Sequence, residues 1–292
     1  MPIASVIIPA YNEEFTIERC LENLLKDTPK GLLEVVVVCN GCQDNTFSRA
    51  CKFEDRGVRV LETAVGSKSN ALNLGDAEAT VFPRFYLDAD IQLSIDSLRE
   101  VVLLLSDDED VLLSAPRAVV DFARSSALVR AYYRVWTRLP YFTEAMVGSG
   151  VYAFSEKGRS RFKEFPDIIA DDEYARRVVS PKERRSAKGE PFVISAPRSL
   201  RSLLAVNSRV RAGMYELEKK YPELMAHRGT TPGRTLQTIA SKKELWRDAP
   251  IYLGIMFAAK LLAHRKLASK NAKKWDRDET ARSAAPGPTS PL

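Results

Sequence analysis

The sequence predicts an α/β fold: a mostly parallel sheet flanked by helices, with a helical C-terminal extension. Three observations carry this expectation. Short, continuously apolar, β-branched runs alternate with amphipathic stretches through the first 115 residues, the pattern of strands covered on both faces. Polar segments rich in acids and amides follow those runs, at the strand ends where open parallel sheets bind ligands. After Pro116 the rhythm shifts toward longer helical stretches.

Ile3–Pro9 (IASVIIP) is the first predicted strand, short, β-branched and closed by proline. Glu13–Asp27 reads as a helix with Ile17, Leu21, Leu24 and Leu25 on one face. Leu33–Cys39 (LEVVVVC) is a second buried strand, Asn45–Asp55 a helix and Gly57–Leu61 a short strand. Ser67–Thr80 is a helix, and Arg84–Leu87 a strand that runs into Asp88-Ala89-Asp90. Ser94–Ser106 is a helix with Leu98, Val101, Val102 and Leu105 inward, and Val111–Ala115 a strand. Right-handed crossovers make such a sheet doubly wound. Beyond Pro116, Ser125–Leu139 is an aromatic-rich helix, Val147–Phe154 a Gly-punctuated strand, and Asp171–Val179 a short helix. Pro191–Ser195 is a strand and Ser199–Tyr221 a long helix.

The chain has 292 residues, 45% hydrophobic and 28% charged, which excludes wholesale disorder, a collagen-like chain and a polytopic membrane protein. Its net charge of +6 hides an asymmetry: residues 1–110 carry 20 acidic and 10 basic side chains, the remainder 18 and 34. A basic half suits phosphates, an anionic membrane or nucleic acid. The basic residues are scattered among helices and no recognition motif occurs, so no nucleic-acid partner is expected. Cys20, Cys39, Cys42 and Cys51 crowd the first fifth of the chain. That is no disulfide framework, and reduced thiols in a cytoplasmic setting are expected. No basic n-region precedes the first strand, so no signal peptide is expected. Ala249–Ala263 is the longest apolar run; Lys260 interrupts it, and Arg265, Lys266, Lys270, Lys273 and Lys274 follow. It is short for a span. It fits either a helix lying on the inner face of an anionic membrane or a core helix with a solvated basic tail.

The chemistry gathers at strand ends. Pro9 to Glu14 follows the first strand, Asn40 to Asp44 the second, and Asp88-Ala89-Asp90 the fourth. No glycine-rich dinucleotide fingerprint and no Walker A sequence occurs, which disfavours dinucleotide chemistry and P-loop phosphoryl transfer. Two carboxylates on a turn can hold one Mg²⁺ or Mn²⁺ and leave coordination positions for diphosphate oxygens.

Six segments in order resemble the family 2 glycosyltransferases: VIIPAYNEE (6–14), VVVVCNGCQDNT (35–46), GSKSNALNLG (66–75), YLDAD (86–90), GSGVYAFS (148–155) and ADDEYARR (170–177). The resemblance covers residues 3 to about 180. It implies the GT-A-type fold, with a Rossmann-like nucleotide-sugar-binding sheet. It also implies site roles. Pro9, Tyr11 and Glu13 border the nucleoside. Asn40, where the family usually has Asp, and Asp44 face the base. Lys68, Asn70 and Asn73 contact the nucleotide. Asp88 meets ribose or metal and Asp90 the metal, Mn²⁺ or Mg²⁺. Gly148, Ser149 and Gly150 line the acceptor. Asp172, with Asp171 beside it, is the general base. In GT-A-type enzymes a late histidine sometimes completes the metal site, and His227, in HRGTTPGR, is the candidate.

The implied activity is inverting transfer of a sugar from a nucleotide-diphosphate donor, UDP-linked, to a hydroxyl of a lipid-linked or saccharide acceptor. The processive members' Q-x-x-R-W motif is replaced by Asn207-Ser208-Arg209-Val210-Arg211, which implies a non-processive enzyme. The competing expectation is an inactive GT-A-like module that docks on anionic lipid or polyanion. The implied division is a nucleotide-sugar-binding part (1–115), an acceptor-binding and catalytic part (116–198), a helical extension (199–275) and a disordered tail (276–292).

Overall fold

The computed structural model describes residues 1–143, 146, 150–229 and 231–268. The first half alternates strand and helix: β1 (Ala4–Ala10), α1 (Ile17–Leu25), β2 (Leu33–Asn40), α2 (Thr46–Cys51), β3 (Val58–Thr63), α3 (Lys68–Glu78), β4 (Arg84–Leu87), α4 (Ile95–Asp107) and β5 (Leu113–Asp121). Then come α5 (Ala127–Trp136), α6 (Pro140–Thr143), β6 (Val151–Phe154), α7 (Glu156–Arg159), α8 (Asp171–Arg177), β7 (Arg184–Ser195) and α9 (Leu200–Lys220). A 3₁₀ turn (Pro222–His227), α10 (Pro232–Ser241) and α11 (Ala249–Ala268) complete the described chain.

One seven-stranded sheet runs in the order β3-β2-β1-β4-β6-β5-β7. It is parallel except for β6, which lies antiparallel between β4 and β5. β1 is buried at every residue, as an uninterrupted apolar strand must be when helices cover both faces. Val6, Ile8, Val35 and Val37 pack with Leu21, Leu24, Leu98 and Val101 on one face. Ile7 packs with Leu72 and Tyr86 on the other. The chain steps from β1 outward to β2 and β3, then returns to pair β4 on the other side of β1. The carboxyl ends of β1, β2 and β4 therefore share one crevice, the usual place for a ligand.

Several boundaries differ from expectation. The helix expected from Glu13 begins at Ile17, because Asn12 adopts a left-handed φ of 51° and the chain turns before the helix starts. β5 does not stop at Ala115. It runs on to Asp121, and the register with β7 shifts between Pro116 and Ala118. A proline inside a sheet is tolerated at such an irregularity. The division drawn at 115/116 thus falls within a continuous strand, whereas 198/199 falls at the N-cap Ser199 of α9. β7 begins seven residues before Pro191, at Arg184, because an edge strand can be polar and alternately buried. The strand expected from Val147 begins at Val151; residues 147–149 lie outside the described residues, as does the tail 276–292.

Candidate active site

β4 ends at Leu87, and the next three residues form a turn closed by Ile91 N–H donating to the Asp88 carbonyl at 3.0 Å. Ala89 is buried, so the side chains of Asp88 and Asp90 are left on the open side. Gly150 secures this turn: its carbonyl accepts from Asp88 N–H at 2.8 Å. Its φ is +88°, and a Cβ there would stand 2.7 Å from Ile91 Cγ1. Gly148 and Ser149, expected beside the acceptor, lie outside the described residues.

Two helix starts converge on the turn. Lys68 opens α3, whose N-cap Ser67 accepts from Asn70 N–H. Asp171 opens α8. The Lys68 ammonium lies 2.8 Å from Asp88 Oδ1 and 3.1 Å from Asp171 Oδ2, so one cation bridges two carboxylates from distant parts of the chain. Burial alone would release the Lys68 proton, but Asp171, Asp88 and Asp172 outweigh it and hold the amine charged. Burial raises the Asp88 carboxyl, and its neighbours Asp90 and Asp171 add to this while Lys68 opposes it. Asp172 is pushed up to about 6, first by burial and then by the charge of Asp171. Its Oδ1 accepts from Glu173 N–H at 2.8 Å. A carboxylate with that proton affinity is poised to accept a proton near neutral pH.

The residues expected to border the nucleoside behave differently. Pro9 is buried within β1, and Tyr11 lies beside Gly66 at the strand's exit. Glu13 is buried, its carboxylate accepting from the Thr16 hydroxyl at 2.7 Å. Asn40 is 3% exposed, and its amide donates to the Ala10 carbonyl at 2.9 Å. Asp44 accepts from Thr46 N–H at 3.0 Å and Glu14 N–H at 3.2 Å. These side chains stitch the loops after β1 and β2 together and so shape the crevice wall. Asn70 is partly exposed on the first turn of α3. Asn73 clamps the backbone of Phe165 through both amide atoms, at 3.0 and 2.7 Å. His227 sits at the other end of α8 from the acidic pair, its Nδ1 2.8 Å from the Arg177 carbonyl.

Two groups were not singled out from the sequence. Tyr152, on β6, has a buried hydroxyl in the field of Asp171, Asp172 and Asp88. Glu173 holds Arg176 and Arg177 in a buried ion cluster. In the sequence these resemble ordinary solvent-facing helix pairs at i,i+3 and i,i+4.

The sequence profile of Glycosyl transferase family 2 matches residues 5–160, more than half of the chain. The chain belongs to glycosyl transferase family 2. Among curated relatives of this family 2 glycosyltransferase, glycosyltransferase AglE of Haloferax volcanii is 36% identical over 94 residues, 31% of each chain. The match therefore spans about a third of that relative's length. The mannosyltransferase PcManGT from Pyrobaculum calidifontis, solved with GDP-Man and Mn²⁺, shares the fold at a TM-score of 0.59 and 23% identity, over 92% of this chain and 76% of that one. Glucosyl-3-phosphoglycerate synthase from Mycobacterium tuberculosis, solved with Mn²⁺, UDP and glucosyl-3-phosphoglycerate, aligns at 0.52 and 21% identity, over 74% and 78%. The GT-A-type architecture expected from the motifs is the one observed.

Among the described residues no three His, Cys, Asp or Glu side chains converge as a ready-made metal cage. The Asp88–Asp90 turn nevertheless fits a divalent cation. Its hard oxygens and clustered negative charge match Mg²⁺ or Mn²⁺. The Lys68 ammonium pairs with Asp88 Oδ1, so a metal ion there would share that carboxylate with it.

Proposed function

We propose that this glycosyltransferase performs metal-dependent, inverting, non-processive transfer of one sugar from a nucleoside-diphosphate donor, UDP-linked, to a hydroxyl of a lipid-linked or saccharide acceptor. The observation that carries the reading is the Lys68 bridge between Asp88 and Asp171, with the raised Asp172 carboxyl next to it. Asp88 and Asp90 would hold Mn²⁺ or Mg²⁺, whose charge offsets that of the diphosphate leaving group. The Lys68 ammonium adds a fixed positive charge at the same place. Asp172 takes the proton of the acceptor hydroxyl as its oxygen bonds to the anomeric carbon. The bond from that carbon to the diphosphate oxygen breaks, its electron pair leaving with the nucleoside diphosphate. Attack opposite the leaving group inverts the anomeric configuration.

A membrane-surface location at the cytoplasmic face belongs to the same reading. No helix among the described residues is long and apolar enough to cross a membrane. α11 packs one side against α5 and α9, while Leu253, Phe257 and Leu261, one turn apart, are 43%, 64% and 49% exposed. Lys260 and Arg265 flank them, as on a helix lying at an anionic surface.

The test is a product assay over a panel of UDP- and GDP-sugars with Mn²⁺, paired with calorimetry. Asp172→Asn should abolish transfer and keep Mn²⁺-dependent nucleotide binding. Retained turnover in that variant removes the base assignment. If no nucleotide sugar binds the wild type, the donor reading fails and the inactive-module alternative takes its place.

A further inference from the structure

Beyond Asp172, buried positive charge gathers at the end of α8 and the start of β7. Arg176, Arg177 and Arg184 are 3%, 0% and 7% exposed. Glu173 serves two of them, with Arg176 Nη2 and Arg177 Nε each 2.6 Å from its Oε1. Arg184, at the start of β7, makes no ion pair among the described residues. It donates to two backbone carbonyls instead, those of Arg176 and, at 2.9 Å, His227. Even with Asp172 acting on Arg176 through space, cations outnumber anions. Burial and the neighbouring Arg176 charge pull the Arg184 guanidinium down to about 10.

Two guanidinium nitrogens converge on one point. A Cβ built on Gly229 would lie 3.5 Å from Arg176 Nη1 and 3.5 Å from Arg184 Nη2. Arg176 Nη1 is buried and has no hydrogen-bond partner. The turn that leads to Gly229 offers these side chains neutral carbonyls: that of His227 to Arg184, and that of Arg228 to Arg176 Nη2 at 3.1 Å. Anionic oxygens would bind the same donors roughly twice as strongly. Paired arginine forks suit the tetrahedral oxygens of phosphate.

We infer that Arg176 and Arg184 form a phosphate-binding site for the acceptor, whose phosphate oxygens replace the His227 and Arg228 carbonyls. The inference rests on the glycosyltransferase reading and names its acceptor class, a phosphorylated hydroxyl compound. Arg176 follows Asp172 by four residues on one helix face, so the phosphate sits about 6 Å along the helix from the proton acceptor. The donor diphosphate belongs on the other side, with Lys68, Asp88 and Asp90.

The test uses the full chain with Mn²⁺ and inorganic phosphate as the probe, read by calorimetry with and without a saturating nucleoside diphosphate. Wild type should bind phosphate equally well in both conditions. Arg184→Met should weaken phosphate binding about tenfold or more, the worth of a charged hydrogen bond. Nucleoside diphosphate affinity should stay unchanged. Displacement of phosphate by the nucleoside diphosphate would mean that the probe reads the donor site, and would overturn the proposal. Absence of phosphate binding to wild type, or undiminished binding to the variant, would overturn it too. Should Arg184→Met fail to fold, Arg184→Lys keeps the charge without the fork; undiminished binding there overturns the proposal equally. Phosphate binding in a chain that binds no nucleotide would leave this site standing while the donor reading falls.

Discussion

Lys68→Met removes the cation on which three carboxylates depend. The ammonium is 2.8 Å from Asp88 and 3.1 Å from Asp171. At an effective dielectric of about 20, Coulomb's law gives about 6 and about 5 kcal/mol of gross attraction. Desolvation cancels most of this, and removing one partner of a buried pair costs about 3–5 kcal/mol. The Lys68 side chain is 20% exposed, which places the expected loss near the lower end, about 3 kcal/mol. The loss must depend on pH. Without Lys68, which lowers the Asp88 and Asp172 carboxyls, their folded pKa values rise further above the unfolded ones. The folded variant then binds more protons than the unfolded chain, and its stability falls as pH rises through those raised values. Urea unfolding, followed by tryptophan fluorescence, should show a small deficit near pH 4.5 and the full one at pH 7.5. Mn²⁺ should restore part of it at pH 7.5 by binding the folded state alone. A deficit under about 1 kcal/mol at pH 7.5, or one equal at both pH values, would refute the bridge as the electrostatic keystone of this site.

Other consequences can be checked separately. The base must be ionised and Asp172 is raised to about 6, so kcat/KM should climb with pH through that value; a flat profile between pH 5 and 7.5 would contradict the assignment. Gly150→Ala forces a Cβ to 2.7 Å from Ile91 at a φ of +88°, and should cost about 1–3 kcal/mol in thermal unfolding and most of the activity. Wild-type-like turnover would show that the Asp88 turn tolerates the shift. Leu253→Ser with Phe257→Ser should weaken co-sedimentation with anionic vesicles while leaving the melting temperature nearly unchanged, because both side chains are already exposed. Unaltered co-sedimentation would remove α11 from any membrane contact.

The strands and the acidic turn could be read directly because their signals are local. A run such as LEVVVVC is apolar at every position but Glu34 and β-branched through its middle, the pattern of a strand covered on both faces. Asp88 and Asp90 follow such a strand and must emerge at its end. The first half of β7 gave no such signal. Arg184–Glu190 is polar, and its place at the sheet edge comes from pairing with β5, far away in sequence. The ion cluster around Glu173 escaped for a related reason. Its spacing marks a helix pair, and nothing in the spacing reveals that the pair is buried.

By itself, then, the sequence determined the α/β class, the family and the strand ends at which polar chemistry gathers, because periodicity and motif order are properties of neighbouring residues. Only the tertiary structure decided which polar side chains share a site. Asn40, Asp44 and Asn73 are engaged in holding loops. Lys68, Asp88 and Asp171 meet at one point. Arg176 and Arg184 face each other across Gly229. Charges act through space, and the chain brings these groups within a few ångströms only when the helix starts of α3 and α8 close on the end of β4.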